Sequence, residues 1–297
     1  MINVKAWVHA ARPRTLPLAF TSTLLGSLIA WQDLPFRLPV MILGLVTTLF
    51  LQVLSNLAND YGDSVNGMDN ELRKGPKRAV QSGDIPLRSM FTGVVITSIL
   101  ALISGILLIA WGFDFRLNAK GIIFFLLGLS ALAAAIKYTV GKNPYGYIGF
   151  GDLFVFLFFG LTGVLGTYYL HTGRIEPSVL LPASAVGLLS TAVLNLNNMR
   201  DRDGDSASGK RTLVVKMGIR KSLAYHTLLI VAAWICFIAY RVTHYTGALQ
   251  WIFLITLPFF IIHLRKVLTD SSPASLDPEL KKLALMTFFT SILFGIF

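Results

Sequence analysis

The sequence contains few charged residues and almost no cysteine. Charged side chains make up 14% of its 297 residues, whereas soluble domains carry about 25%, so they are too few to cover a globular surface in water. The single cysteine, Cys236, excludes an internal disulfide and a cysteine-rich metal site. The N-terminal segment also lacks a basic-then-apolar signal that ends in a small-residue cleavage site. The first apolar block is therefore expected to be a retained helix.

Apolar residues are abundant instead, at 54% of the chain. They occur in blocks about 20 residues long, which is the length of helix that crosses a bilayer core. These blocks predict an all-α, polytopic membrane protein, with residues 1–297 in a single membrane-embedded domain. The nine predicted transmembrane helices cover residues 16–31, 38–58, 90–112, 121–140, 150–170, 177–196, 222–243, 248–264 and 283–297.

The distribution of basic residues predicts the orientation of these spans. With nine spans, 21 of the 26 lysines and arginines fall on the side of the N-terminus. Basic residues collect in cytoplasmic loops, so the N-terminus is predicted to be cytoplasmic. The net charge of +11 is explained in the same way, by loops next to anionic lipid, and does not require nucleic acid as a partner.

Acidic residues are concentrated in two matching segments. Seven of the 15 aspartates and glutamates lie in NLANDYGDSVNGMDNE and NLNNMRDRDGD, at the ends of the second and sixth spans. Asn59-x-x-x-Asp63 in the first matches Asn197-x-x-x-Asp201 in the second. We predict that the two segments belong to pseudo-repeated cytoplasmic loops at about 56–89 and 195–221.

Each acidic segment is followed by a basic patch that begins with glycine, GPKR at 75–78 and GKR at 209–211. Residues four apart on a helix share a face, so each Asn–Asp pair should point in one direction. Carboxylates select Mg²⁺, which takes a few of them together with phosphate oxygens of a substrate, and the basic side chains would hold the rest of that phosphate. The pattern indicates a diphosphate between two acid–metal layers, beside an apolar bundle for a lipid tail. The alternative is two solvated charged loops, but acidic residues contribute little to topology.

These residues resemble the UbiA family of intramembrane prenyltransferases, which has an N-x-x-x-D-x-x-x-D motif after helix 2, a similar one after helix 6, and a nine-helix fold. Asn59 and Asp63 match the first motif, although Gly67 stands at its third position with Asp69 two residues later. The second motif is matched fully, and the family's Y-x-x-x-K element matches as well, by Asn197, Asp201, Asp205, Tyr138 and Lys142.

Within the family, segments such as YTVGKNPYGYIGFGDLFVFLFFG (138–160) are similar to the proteobacterial branch that serves menaquinone biosynthesis. The resemblance implies transfer of a polyprenyl chain from polyprenyl diphosphate to 1,4-dihydroxy-2-naphthoate. Diphosphate and CO₂ would be released, and the product would be demethylmenaquinone. It also implies Mg²⁺ as cofactor, and a bacterial cytoplasmic (inner) membrane with the active site at the cytoplasmic face. The alternatives are another aromatic acceptor such as 4-hydroxybenzoate, an ion-coupled transporter, or a phosphatidyltransferase.

The predicted site residues follow from this chemistry. Tyr138 is a candidate for stabilising an allylic cation, or else an interfacial belt tyrosine. Arg14 is either a topology anchor or a contact to the diphosphate or the acceptor carboxylate. Asp152 either favours a helix N-terminus or contacts the acceptor. The five histidines share no ligand spacing and are interpreted as structural. Asn59 and Asn197 are predicted to orient the diphosphate or metal-bound water. The predicted metal-holding residues are Asp60, Asp63, Asp69, Asp201 and Asp205, and the predicted phosphate contacts are Arg78, Lys142 and Arg211.

Overall fold

The computed structural model describes residues 3–68 and 77–297 and is all-helical over these ranges. A short N-terminal helix is followed, in the described part of the chain, by nine long ones, some of which include a 3₁₀ or π segment. The helices are α1 (Val4–Ala11), α2 (Leu16–Asp33), α3 (Leu38–Val65), α4 (Leu87–Gly112), α5 (Ala119–Lys137), α6 (Gly151–Thr172), α7 (Pro177–Ala207), α8 (Leu213–Thr243), α9 (Ala248–Thr269) and α10 (Pro273–Gly295).

Seven of the long helices, α3 to α9, are long and apolar enough to cross a membrane, in agreement with the predicted polytopic fold. The other two carry more polar residues. In α2, Thr21, Ser22, Thr23 and Ser27 are buried against neighbouring helices, and α10 begins with the polar segment PASLDPELKK. A membrane crossing by all nine helices stays a prediction.

The Asn-x-x-x-Asp motifs lie in helices and not in the predicted loops. α3 remains helical to Val65 and α7 to Ala207, beyond the predicted ends at 58 and 196. α8 begins at Leu213, where the side chain of Thr212 accepts a hydrogen bond from the N–H of Val215 at 3.3 Å, and α10 begins at Pro273. Hydropathy missed these extensions because their polar side chains pair with one another instead of facing lipid.

The central helix of the bundle is α7, which packs against α6, α8 and α10, while α2 packs against α3, α6 and α10. At the contact between α6 and α7, a Cβ on Gly160 would lie 2.6 Å from the Cα of Gly187. Small residues of this kind let two membrane helices approach closely. A second group, formed by α3, α4 and α5 together with α1, encloses a smaller core of its own.

The outer faces of α4 and α5 are apolar and exposed, with Ile96, Ile99, Ile103, Ile122 and Leu126 all pointing outward. Such a continuous apolar surface would be unfavourable in water. In a bilayer it contacts acyl chains, which explains why the exposed part of this fold is as apolar as its interior.

Buried polar residues also connect helices. His226 on α8 and His263 on α9 approach each other at 3.0 Å between their Nε2 atoms, and Nδ1 of His263 lies 2.6 Å from the carboxylate of Glu279 on α10. Buried polar groups need such partners because an unpaired one is costly in an apolar environment. These contacts join α8, α9 and α10 inside the bundle.

The two ends of the bundle carry different residues. At one end Arg37 contacts Asp114 at 2.5 Å, and Arg174 contacts Asp33 at 3.2 Å. At the other end lie the last turns of α3 and α7 and the start of α8, with both acidic motifs. This division matches the alternation of sides on which the predicted orientation rests.

Candidate active site at the ends of α3 and α7

Asp63 lies at the centre of the cluster, in the last turn of α3, with its side chain 1% exposed. Arg78 binds one of its carboxylate oxygens, and the hydroxyl of Tyr147 donates to the other. The ammonium group of Lys210 lies 3.2 Å from that second oxygen. Three segments that are distant in sequence therefore converge on one buried carboxylate.

Lys210 joins the two acidic motifs. Besides its contact with Asp63, its Nζ lies 3.7 Å from the carboxylate of Asp205 in the last turn of α7, and it lies 4.8 Å from the centre of the Tyr147 ring. The prediction that both motifs form one site is supported by this shared cation. Arg211 of the same GKR patch was predicted to contact the diphosphate, and that role stays a prediction.

The two helices end in the same way. Gly67 and Gly209 both have a left-handed backbone, with φ of +66° and +83°, a conformation that glycine adopts without strain at a helix C-terminus. The next N–H turns back to the helix: Met68 donates to the carbonyl of Asp63, and Lys210 donates to the carbonyl of Asp205, both at 2.8 Å.

This shared ending defines a structural register between the motifs. Gly62-Asp63-Ser64-x-x-Gly67 corresponds to Gly204-Asp205-Ser206-x-x-Gly209. Asp63 is thus equivalent to Asp205, whereas the Asn-x-x-x-Asp frame had paired it with Asp201. Gly67, which departs from the family motif, provides the left-handed turn that terminates α3 after Val65.

Asp60 is one of the predicted metal-holding residues, but its carboxylate faces the segment that follows α3. It accepts hydrogen bonds from the backbone N–H groups of Ala79 at 3.1 Å and Val80 at 3.4 Å. These bonds hold the chain next to Arg78, whose guanidinium also donates to the carbonyl of Asn59. Asp60 therefore positions Arg78 in this structure.

Asn59 faces the end of α5. Its side-chain oxygen accepts from the hydroxyl of Thr139 at 3.2 Å, and that hydroxyl also lies 3.0 Å from the carbonyl of Ala58. The side chain of Asn66 donates to the carbonyl of Thr139 at 2.9 Å. These contacts attach the segment after α5 to the motif end of α3.

Asp201 is bound by Arg200, which donates to both carboxylate oxygens at 2.8 and 2.6 Å. The same guanidinium contacts Asn197 at 2.9 Å and Asp277 of α10 at 2.7 Å. Asn197 and Asp201 do share a face, as predicted, with a cation against them. This cluster links α7 to α10 beside the Asp63–Asp205 pair.

The loop between α5 and α6 is attached to the segment before α8. The N–H of Arg211 donates to the carbonyl of Tyr147 at 2.6 Å, and Nζ of Lys216 donates to the carbonyl of Ile148 at 2.6 Å. Burial first, and then the charge of Asp63, raises the pKa of the Tyr147 hydroxyl above its usual value. Tyr147 therefore stays protonated and donates to Asp63.

Tyr138 lies at the end of α5 with its ring 5.3 Å from that of Tyr145, edge to face, and Tyr145 stacks on Phe154 at 4.1 Å. Burial raises the pKa of Tyr138, and the charges of Asp152, Asp205 and Asp63 act on it in the same direction. Tyr138 therefore lies within electrostatic reach of the acidic cluster, and its predicted role at an allylic cation stays a prediction.

The remaining predicted residues lie in different surroundings. Asp152 is buried at the start of α6 with one carboxylate oxygen unpaired, and Tyr225 faces it. The side chains of Arg14, Lys142 and Arg211 are exposed and do not take part in the ion pairs around Asp63. Asp69 lies outside the described residues.

The cluster fits a magnesium ion by the chemistry of its donors. Within residues 3–68 and 77–297, no three acidic or histidine side chains converge as a ready-made metal cage. Mg²⁺ does not need one, since it is bound by one or two carboxylates plus substrate phosphates. The ammonium group between Asp63 and Asp205 indicates that this pair of carboxylates accommodates a cation.

Sequence reasoning missed three residues of the cluster: Lys210, Tyr147 and Arg200. All three stand in segments that were singled out, namely GKR at 209–211, residues 138–160 and NLNNMRDRDGD, but other residues of those segments were chosen. The repeated Gly-Asp-Ser-x-x-Gly was the available signal, because it places Lys210 directly after the second helix end.

Comparison with known proteins identifies a family that this chain matches. The model of the UbiA prenyltransferase family matches residues 19–292. The 1,4-dihydroxy-2-naphthoate octaprenyltransferase of Escherichia coli (strain K12) is 40% identical over 297 residues, which cover 99% of this chain and 96% of the relative. The enzyme of the same name from Haemophilus influenzae is 41% identical, covering 100% of this chain and 97% of the relative.

Solved structures share the fold. A UbiA homolog from Aeropyrum pernix K1 in its apo form has a TM-score of 0.70 at 21% identity and covers 95% of both chains. A UbiA homolog from Archaeoglobus fulgidus bound to DMAPP and Mg²⁺ has a TM-score of 0.64 at 16% identity, covering 96% of this chain and 98% of the homolog.

Proposed function

This chain belongs to the UbiA prenyltransferase family, and on that premise we propose that it transfers a polyprenyl chain from polyprenyl diphosphate to 1,4-dihydroxy-2-naphthoate. Diphosphate and CO₂ are released, and the product is demethylmenaquinone. The acceptor is taken from the relatives that are about 40% identical over nearly the full chain. The reaction places the protein in menaquinone biosynthesis.

The observation that carries this proposal is the convergence of Asp63 and Asp205 on Lys210, at 3.2 and 3.7 Å. Two carboxylates on different helices meet at one end of an apolar bundle, with Arg78 beside them. A diphosphate needs cations to balance its charge, and its prenyl tail needs apolar surface. Both are adjacent here, which supports a prenyl diphosphate as the donor.

We propose Mg²⁺ as the cofactor, held by Asp63 and Asp205, with Asp201 as a further predicted ligand. When bound, Mg²⁺ stabilises the negative charge that develops on the departing diphosphate. Arg78 and Lys210 bind oxygens of the same diphosphate, and charge-assisted contacts of this kind are stronger than neutral ones. Tyr147 holds the Asp63 carboxylate in place by its hydroxyl.

The allylic cation left by diphosphate departure requires a dry, electron-rich environment. The rings of Tyr138, Tyr145 and Phe154 pack together next to the acidic cluster and supply such a surface. We propose that Asp152, whose unpaired oxygen is buried at the start of α6, accepts a hydrogen bond from a hydroxyl group of the aromatic acceptor.

We also propose that all nine long helices cross the cytoplasmic membrane of a bacterium, with the N-terminus and the active site at the cytoplasmic face. The excess of lysine and arginine on that side supports this orientation. The bacterial origin of the relatives supports the choice of membrane.

The identity of the acceptor is tested by following its carboxyl group. Attack by the cation on the ring carbon that bears the carboxylate is completed by loss of CO₂, which restores aromaticity. With purified protein, polyprenyl diphosphate and Mg²⁺, carboxyl-labelled 1,4-dihydroxy-2-naphthoate should release one labelled CO₂ for each prenylated product.

The same protein should use 4-hydroxybenzoate far less well, because prenylation of that acid leaves its carboxylate in place. Preference for 4-hydroxybenzoate, or a product that keeps the label, would overturn the assignment of the acceptor. The family membership does not depend on this result.

A further inference from the structure

Lys210 occupies an unusual position for a residue that would bind a substrate. Its ammonium group lies between Asp63 and Asp205, at the centre of the space where the proposed magnesium ion would be bound. The side chain is largely buried, at 13% exposed. Two positive charges cannot share this space without strong repulsion, because the Coulomb energy is large for closely spaced charges outside bulk water.

The backbone holds Lys210 at this position. Its N–H donates to the carbonyl of Asp205 at 2.8 Å after the left-handed turn at Gly209. The equivalent residue after α3 is Met68, which has no charge. Among the residues that the structure describes, the lysine that bridges the two carboxylates therefore comes from the segment after α7.

The ring of Tyr147 contributes to the same placement. Lys210 Nζ lies 4.8 Å from the ring centre, a distance at which a cation is attracted to an aromatic face. The carboxylates and the ring together stabilise the ammonium group in this position.

We propose that Lys210 is an exchangeable counter-ion of the metal site, an inference that rests on the proposed function. Without substrate it neutralises Asp63 and Asp205 and competes with Mg²⁺ for them. When a diphosphate arrives, the ammonium group moves onto its oxygens and leaves the carboxylates to the metal. Metal and diphosphate then bind cooperatively, and the free enzyme binds Mg²⁺ weakly.

Replacing Lys210 should change metal binding in two opposite ways, one without diphosphate and one with it. Lys210→Gln removes the competitor, so the substrate-free protein should bind a divalent cation about tenfold more tightly, within the usual range for coupling between two ligands. The same change removes a diphosphate contact, so inorganic diphosphate should improve metal binding less than it does in the unchanged protein.

The experiment measures Mn²⁺ binding by electron paramagnetic resonance on the full chain in detergent, with and without inorganic diphosphate. Lys221→Gln is the matched control, because Lys221 is exposed at the start of α8 and its loss changes the net charge equally. Lys210→Arg keeps a cation and should bind Mn²⁺ alone about as weakly as the unchanged protein. Asp63→Asn should lose Mn²⁺ binding.

If Lys210→Gln binds Mn²⁺ as well as or more weakly than the unchanged protein, and Asp63→Asn loses Mn²⁺ binding, the exchange is wrong. The metal site of the proposed function would then still stand. Full Mn²⁺ binding by Asp63→Asn would overturn both. A merely structural role for Lys210 predicts weaker binding with and without diphosphate, and this too would contradict the exchange.

Discussion

Asp63 and Asp205 occupy the same position on two different helices, each with its carbonyl accepting the N–H that follows a left-handed glycine. This equivalence brings both carboxylates next to the ammonium group of Lys210, at 3.2 and 3.7 Å. The pseudo-repeat is thus a repeat of helix endings, and the two aspartates are expected to contribute equally to metal binding.

The first prediction is that Asp63→Asn and Asp205→Asn each remove nearly all turnover while the protein remains folded. Each substitution removes one of the two charges that hold the metal. Loss of a catalytic metal should raise the activation free energy by more than the roughly 1.4 kcal/mol that corresponds to a tenfold change in rate. Steady-state rates with saturating substrates measure the effect. Asp84→Asn is the control, because Asp84 is an exposed aspartate on the segment before α4. If Asp63→Asn or Asp205→Asn keeps more than about a tenth of the activity, that carboxylate is not a ligand of the metal.

The second prediction separates Asp60 from Asp63, although they are neighbours in the same motif. Asp60→Asn disturbs the hydrogen bonds to Ala79 and Val80 and thereby the position of Arg78. We expect KM for prenyl diphosphate to rise about tenfold or more, since a hydrogen bond to a charged group contributes about 1.5–3 kcal/mol, with a smaller change in kcat. If Asp60→Asn instead abolishes kcat and Mn²⁺ binding as Asp63→Asn does, Asp60 is a metal ligand.

The third prediction concerns the hydroxyl of Tyr147. Tyr147→Phe keeps the ring next to Lys210 and removes the donor to Asp63, so the carboxylate loses a charge-assisted bond of about 1.5–3 kcal/mol. Turnover should fall about tenfold or more. Tyr145→Phe is the matched change, because its hydroxyl donates at 2.9 Å to the carbonyl of Ala134 and not to an acid. Equal rates for both variants would exclude a special role for Tyr147.

The fourth prediction concerns the orientation of the bundle. In a Cys236→Ser background, single cysteines at Ser82 and Ser206, both exposed at the motif end, should react with a membrane-impermeant thiol reagent only from the cytoplasmic face. A cysteine at Leu117, fully exposed between α4 and α5, should react only from the other face. Labelling of Ser82→Cys and Ser206→Cys from opposite faces would contradict a single shared site.

Local patterns in the sequence were sufficient to predict an all-helical, polytopic membrane protein. The length of an apolar block depends only on the thickness of the bilayer, so the positions of the helices could be read along the chain. The apolar blocks ended before the C-termini of α3 and α7. The reason is that Asn59, Asp63, Asp201 and Asp205 are too polar to count as membrane-spanning, although they continue the helix. Their side chains have partners inside the protein, which hydropathy does not take into account.

The sequence alone determined the class of the protein, the family motifs and the concentration of acids at the ends of two helices. Only the tertiary structure decided that Asp63 is equivalent to Asp205, that Asp60 faces Ala79 and that Lys210 reaches both Asp63 and Asp205. The physical reason is that these contacts join segments up to 147 residues apart. Which side chain reaches a buried carboxylate depends on how each connecting segment turns back over a helix end, and spacing within one segment does not contain that information.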